Sequence, residues 1–170
     1  MQRFQSSLLN LKETRQFARH FTNDWIKKRI VKHKPVILLF EGSLGAGKTQ
    51  VIKWIAKELG LKTRLTSPTF ILWQIYKFRL KDKKQGIASG PAEVFNFHHL
   101  DLYRLSNPKD IFRLGLNQSL RKKNNLFAIE WGERIKKFIV EPYVLLKIES
   151  VGKKRRKITI IKSRGPKSQK

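Results

Sequence analysis

No cysteine occurs in the 170 residues. That excludes a disulfide framework, a thiolate metal site and a thiol nucleophile. Acidic residues are scarce as well, with 12 Asp and Glu against 38 Lys and Arg, so any acid at a structurally special place is informative. No apolar run approaches the length needed to span a bilayer, and the N-terminus lacks the uninterrupted apolar core of a secretory signal. A soluble, cytoplasmic protein without a membrane partner is the expectation. The chain shows no internal repeat. Its length and patterning predict one domain over residues 1–161, followed by a basic, disordered tail at 162–170.

What is abundant is positive charge. The formal net charge is +26, and residues 153–170 contain nine Lys or Arg and no acid. Such an excess gives a field that attracts polyanions, with RNA the first candidate. The competing explanation is a lysine-preferring chain from an AT-rich genome whose charges are simply solvated. Composition alone does not separate the two.

The strongest local signal is Gly42-Ser43-Leu44-Gly45-Ala46-Gly47-Lys48-Thr49, which fits G-x-x-x-x-G-K-[ST], the loop that wraps nucleotide phosphates. Val36 to Phe40 leads in as an apolar run that predicts a buried strand. Gln50 to Leu59 follows as an amphipathic helix that stops at Gly60. Glycines at 42, 45 and 47 let successive N–H groups converge on one concavity, and the helix dipole favours an anion there. Lys48 supplies a full positive charge to the β- and γ-phosphates, and the Thr49 hydroxyl is a hard ligand for Mg²⁺. Leu44, Gly45, Ala46, Gly47, Lys48, Thr49 and Gln50 are therefore the predicted nucleotide-binding residues. A chance glycine turn before a helix is the plain alternative.

Around this loop the periodicity predicts a helix over Leu8 to Ile30 with a break near Asn23. Thr66-Ser67-Pro68-Thr69-Phe70 reads as a Pro-broken loop whose hydroxyls at Thr66, Ser67 and Thr69 have the chemistry of a γ-phosphate switch. A simple Pro turn is the bland reading. Ile71 to Phe78 predicts a strand, Arg79 to Glu93 an exposed loop, and Val94 to Asp101 a second strand. Asn107 is placed as an N-cap with Pro108 at the first helical position, and a short helix follows Gly115. Leu126 to Glu130 predicts another strand, Arg134 to Phe138 a helical piece, and the segments 143–149 and 157–161 a β-hairpin around Val151-Gly152.

Two of these strands end in an acid, Asp101 and Glu130. A phosphate-binding loop needs a carboxylate at a neighbouring strand end to hold Mg²⁺, and a polar group to orient the attacking water. A helix cap or a partner for one of the many cations is the other reading of each acid. His98 and His99 alternate across a strand and point to opposite faces, so they cannot chelate one ion together. One of them is a candidate for the site wall.

The order GSLGAGKT, TSPTF, HHLDLYRL, LGL and IEWGE resembles the TsaE (YjeE) family of bacterial P-loop ATPases, which are required to make threonylcarbamoyladenosine in tRNA. The resemblance runs from about Glu13 to Ile160. It implies a three-layer α/β/α sandwich with a mixed, mainly parallel sheet and a C-terminal hairpin, with ATP and Mg²⁺ as cofactors. By resemblance, Lys48 binds phosphate and takes part in catalysis, and Thr49, Asp101 and Glu130 are metal ligands. Glu130 also acts on water, Thr66 to Phe70 form the switch-like loop, and Thr14 sits near the nucleotide. Ser43 stands where the family usually has Asp, and Gly132 where it usually has Pro. The implied partners are the transferase TsaD and its paralogue TsaB, with tRNA a further candidate, and the implied role is an ATP-driven reset of that complex between modifications of A37. A small-molecule P-loop kinase and an RNA-binding module with a vestigial P-loop are the rivals.

Overall fold

The computed structural model describes residues 2–63, 65–66, 71–80 and 93–163. Seven strands form one sheet: β1 (Gln2–Leu9), β2 (Val36–Glu41), β3 (Trp73–Phe78), β4 (Phe95–Asp101), β5 (Asn125–Glu130), β6 (Val144–Val151) and β7 (Arg155–Lys162). Their spatial order is β1-β7-β6-β2-β5-β4-β3. The four central strands run parallel, and the edge pairs β1–β7, β6–β7 and β3–β4 are antiparallel. The sheet is thus mixed and parallel through its centre.

The core strands read as continuous apolar runs because helices cover both faces. Val36, Leu38 and Phe40 of β2 face one cluster together with Leu126 and Ala128 of β5. That cluster is covered by α1 (Leu11–Phe21) and α3 (Lys48–Glu58). Ile37, Leu39, Phe127 and Ile129 face the other way. There they meet α4 (Asp110–Arg113) and α5 (Leu116–Leu120) through Ile111, Leu116 and Leu120. Helix α2 (Lys27–Val31) extends the first layer.

The N-terminal reading needs correction. The expected single helix from Leu8 begins only at Leu11, because Leu8 and Leu9 belong to β1, whose partner β7 lies at the far end of the chain. Asn10 caps α1: its Oδ1 accepts from Glu13 N at 3.0 Å, while Glu13 Oε2 accepts from Asn10 N at 2.7 Å. This reciprocal pair satisfies two orphan donors of the first turn. The break expected near Asn23 is a π-helical stretch, Thr22–Ile26. Thr22 Oγ1 donates to Ala18 O at 2.7 Å, a side-chain competition that loosens the helical ladder where the register changes.

Smaller departures follow the same logic. Asn107 does not cap α4; its Oδ1 accepts from Lys109 N at 3.1 Å in a turn, and the helix starts three residues later at Asp110. Arg134 to Phe138 is covered by two 3-10 turns, Gly132–Arg134 and Lys136–Phe138. Strand β7 continues through Lys162, which pairs with both Gln2 and Val144. Residues 81–92 of the expected exposed loop and 164–170 of the expected tail lie outside the described residues.

Candidate active site

The phosphate-loop residues Gly42 to Thr49 connect the end of β2 to the start of α3. Two glycines are required by geometry. A Cβ at Gly42 would stand 2.2 Å from Ile148 O, and Gly47 at φ 103° gives α3 its left-handed entry. No side chain caps this helix, so its first N–H groups point into the loop without a side-chain acceptor.

Register brings the acids to the loop. Phe40, Glu130 and Asp101 are neighbours across β2, β5 and β4. Because side chains alternate along a strand, Glu130 lies on the face of Leu126 and Ala128, and Asp101 on the face of Phe95 and Phe97. That is the face α3 covers. The Thr49 hydroxyl donates to Glu130 Oε2 at 2.8 Å, and the other carboxylate oxygen, Oε1, accepts from His99 Nε2 at 3.0 Å. Asp101 Oδ1 accepts from Tyr103 N at 3.0 Å. His99, Asp101 and Glu130 are all buried.

Lys48 is buried too, and its ammonium donates to the carbonyls of Gly42 at 2.7 Å and Ser43 at 2.9 Å. The ammonium lies 3.9 Å from the centroid of the Trp131 ring, which in turn packs against Tyr103 at 5.1 Å. Burial lowers the Lys48 pKa, while Glu130, Glu133 and Asp101 act against that. Glu133 is shifted upward, chiefly by burial. A cavity of about 450 Å³ opens over these groups, lined by the loop with Lys53, Tyr103, Arg104 and Trp131. Its walls carry a cation for phosphate, and Thr49, Asp101 and Glu130 offer only hard oxygens. Mg²⁺ takes few protein oxygens and completes its shell with water and phosphate, so this donor set suits it.

The site invites comparison with known proteins. A family model described as "Threonylcarbamoyl adenosine biosynthesis protein TsaE" matches residues 8–158. The tRNA threonylcarbamoyladenosine biosynthesis protein TsaE of Rickettsia prowazekii is 34% identical over 157 residues, which span 92% of this chain and 93% of that protein. The chain belongs to the TsaE family. The protein of the same description from Treponema pallidum is 31% identical over 132 residues, 78% of this chain and 85% of its own. Among solved structures, Bacillus subtilis YdiB superposes with a TM-score of 0.63 at 24% identity, covering 97% of this chain and 89% of that one. That likeness concerns the fold.

Within this TsaE-family fold, Leu44, Gly45, Gly47, Lys48, Thr49, Gln50, Asp101 and Glu130 line one cavity. Ala46, also of the loop, is buried and does not line the cavity. Thr14 is buried on α1, where its hydroxyl donates to Asn10 O at 2.6 Å, and it is not among the cavity-lining residues. Thr66 is exposed and sits 3.4 Å from Gln74 Oε1 on β3. Ser67 and Thr69 lie outside the described residues.

Of the two histidines, His99 is the one that reaches the site, because it shares the strand face of Asp101 two residues away. Two further contributors, Arg134 and Arg156, carry no signal in the sequence. Arg134 donates to Leu102 O, to Tyr103 O at 3.0 Å and to Leu105 O at 2.6 Å, clamping the segment that carries Tyr103 and Arg104. Arg156 of β7 donates from Nε to Ala46 O at 3.0 Å, tying the hairpin to the phosphate loop across 110 residues of sequence. Nothing local announces that contact. Gly132, where the family usually has Pro, lies so close to β2 that a Cβ there would stand 2.6 Å from Leu39 Cβ.

Proposed function

We propose that this chain binds Mg²⁺ and ATP at the Gly42–Thr49 loop and hydrolyses ATP as an accessory in the synthesis of threonylcarbamoyladenosine in tRNA. The observation that carries the reading is the convergence of Lys48, Thr49, Asp101 and Glu130 on one cavity at the ends of β2, β4 and β5. Lys48 neutralises phosphate charge, and the loop N–H groups with the start of α3 cradle the phosphate oxygens. Thr49, Asp101 and Glu130 would hold the ion. Mg²⁺ held there would supply positive charge to offset the negative charge that develops on the phosphates during hydrolysis.

Glu130 has a second task, orienting the attacking water, and His99 holds its carboxylate in one rotamer. The Tyr103–Trp131 shelf shields Lys48 from bulk water, which strengthens its pull on an anion. By family resemblance, the hydrolytic cycle serves the complex of the transferase TsaD with its paralogue TsaB, and the chemistry on A37 is done there. Among the described residues, no feature of the site favours the kinase or vestigial-module readings.

Complementation tests this function. A bacterial strain depleted of its own TsaE, supplied with this chain, should regain threonylcarbamoyladenosine at A37, measured by mass spectrometry of digested tRNA. Soluble, abundant protein that restores none of the modification overturns the proposal.

A further inference from the structure

A second cavity, of about 550 Å³, opens at the pole of the sheet opposite the phosphate loop. It lies where β2 and β6 begin and β7 ends, bounded by Trp25, Arg29, Lys34, Pro35, Tyr143 and Lys162. The six residues of β2 separate it from Gly42, roughly 20 Å at the usual rise per residue. The two sites can therefore be occupied together.

The chemistry of this cavity is one-sided. Three of its walls are cationic and, among the described residues, none is acidic. The Arg29 guanidinium stands 5.1 Å from the Trp25 ring centroid, and Lys162 Nζ stands 6.0 Å from it. Phe21 stacks on the same indole at 5.3 Å and 8°, so Trp25 is locked and holds Arg29 in place. Arg29 Nε is buried with no hydrogen-bond partner among the described residues, and Arg29 makes no ion pair among them. Arg29 as a whole is half-buried, and a cation so placed without an ion pair is a favourable neighbour for an anion in the cavity.

The cavity has room for an anion larger than inorganic phosphate. Apart from Ser163, the remaining walls are apolar, with Pro35, Pro142 and Tyr143 among them, and an aromatic ring beside cations suits a planar base beside its phosphate. The positive surface also continues beyond the cavity. Residues 27–34 hold five Lys or Arg and no acid, so the phosphates flanking the bound unit would meet charge as well. We propose that this pole binds an unpaired stretch of RNA, one nucleotide seated between Arg29, Lys34 and Tyr143 and its neighbours running over the basic surface of α2. A base inside a duplex cannot enter such a cavity, so the site favours single strands. This inference is independent of the ATP reading.

Fluorescence anisotropy with a labelled single-stranded RNA oligonucleotide tests it, using the full chain saturated with Mg²⁺ and ATP and, separately, Lys48→Ala. Both should bind the strand with equal affinity, and more tightly than the matching duplex. Arg29→Gln with Lys34→Gln should weaken binding about tenfold or more and reduce the salt slope by roughly 1.4, about 0.7 for each lost phosphate contact to a single strand. The charge-matched pair Lys12→Gln with Lys153→Gln should change affinity less than about threefold, as screened surface charges do. Lys34→Gln alone, at an exposed position, guards against misfolding and should still weaken binding several-fold. Equal losses from both double variants would reduce the site to a diffuse field and overturn the proposal. So would capture by phosphatidylserine vesicles with no binding of the RNA strand.

Discussion

The Thr49 hydroxyl meets Glu130 Oε2 at 2.8 Å across 81 residues of sequence, fastening the first turn of α3 to the end of β5. Two of the oxygens that would share a metal ion are thus already adjacent. The second Glu130 oxygen is committed to His99, so the carboxylate has little freedom to swing away. A buried acid held between a hydroxyl and an imidazole, beside a buried lysine, is a preorganised site.

Replacing Glu130 by Gln should leave ATP binding within a few-fold of the native chain and cut hydrolysis roughly a hundredfold or more. Phosphate release measured beside a binding isotherm checks this. Normal turnover in Glu130→Gln would remove the residue from its assigned role.

His99 acts through Glu130. His99→Phe keeps a flat buried ring and removes the bond to Oε1. The Mg²⁺ concentration for half-maximal hydrolysis should then rise about tenfold to a hundredfold, the usual cost of losing a partner behind a metal ligand. A purely structural role would lower the melting temperature and leave the Mg²⁺ dependence in place.

Arg156→Ala should weaken ATP binding about tenfold, the loss expected for a charge-assisted hydrogen bond that holds the loop at Ala46. Titration calorimetry checks the affinity. The melting temperature should fall only slightly, because Arg156 is half-exposed on the sheet.

Stability should also depend on pH through His98. Burial pushes its pKa down from 6.5 to about 4, with the charge of Lys122 acting in the same direction and the neighbouring Asn125 side chain opposing. Between those values the unfolded chain takes up a proton that the folded chain refuses. The contribution is therefore complete above the unfolded value and is lost as the pH falls toward 4. The slope approaches ~1.4 kcal/mol per pH unit. His98→Gln keeps an acceptor for Trp73 Nε1, which donates to His98 Nδ1 at 3.1 Å. Urea unfolding over this pH range should show one proton fewer in the variant, and identical slopes would contradict the assignment.

How much of this was legible in the sequence follows from which interactions are local. The phosphate loop is eight consecutive residues between a strand and a helix, so its motif announces itself. Asp101 and Glu130 were readable because apolar runs end at them, and parallel pairing in register then puts them side by side. Strand β1 was missed because its pairing partner, β7, lies roughly 150 residues away and the spacing of Leu8 and Leu11 imitates a helix. The ties from Arg134 and Arg156 join segments distant in sequence, and among 38 basic residues nothing marks these two.

Isothermal titration of the folded chain with ATP in the presence of Mg²⁺ tests the central claim most directly. The account predicts saturable heat with one nucleotide per chain, abolished in Lys48→Ala while that variant keeps its native circular dichroism. A native chain that is folded yet gives no heat with either ATP or ADP would contradict it.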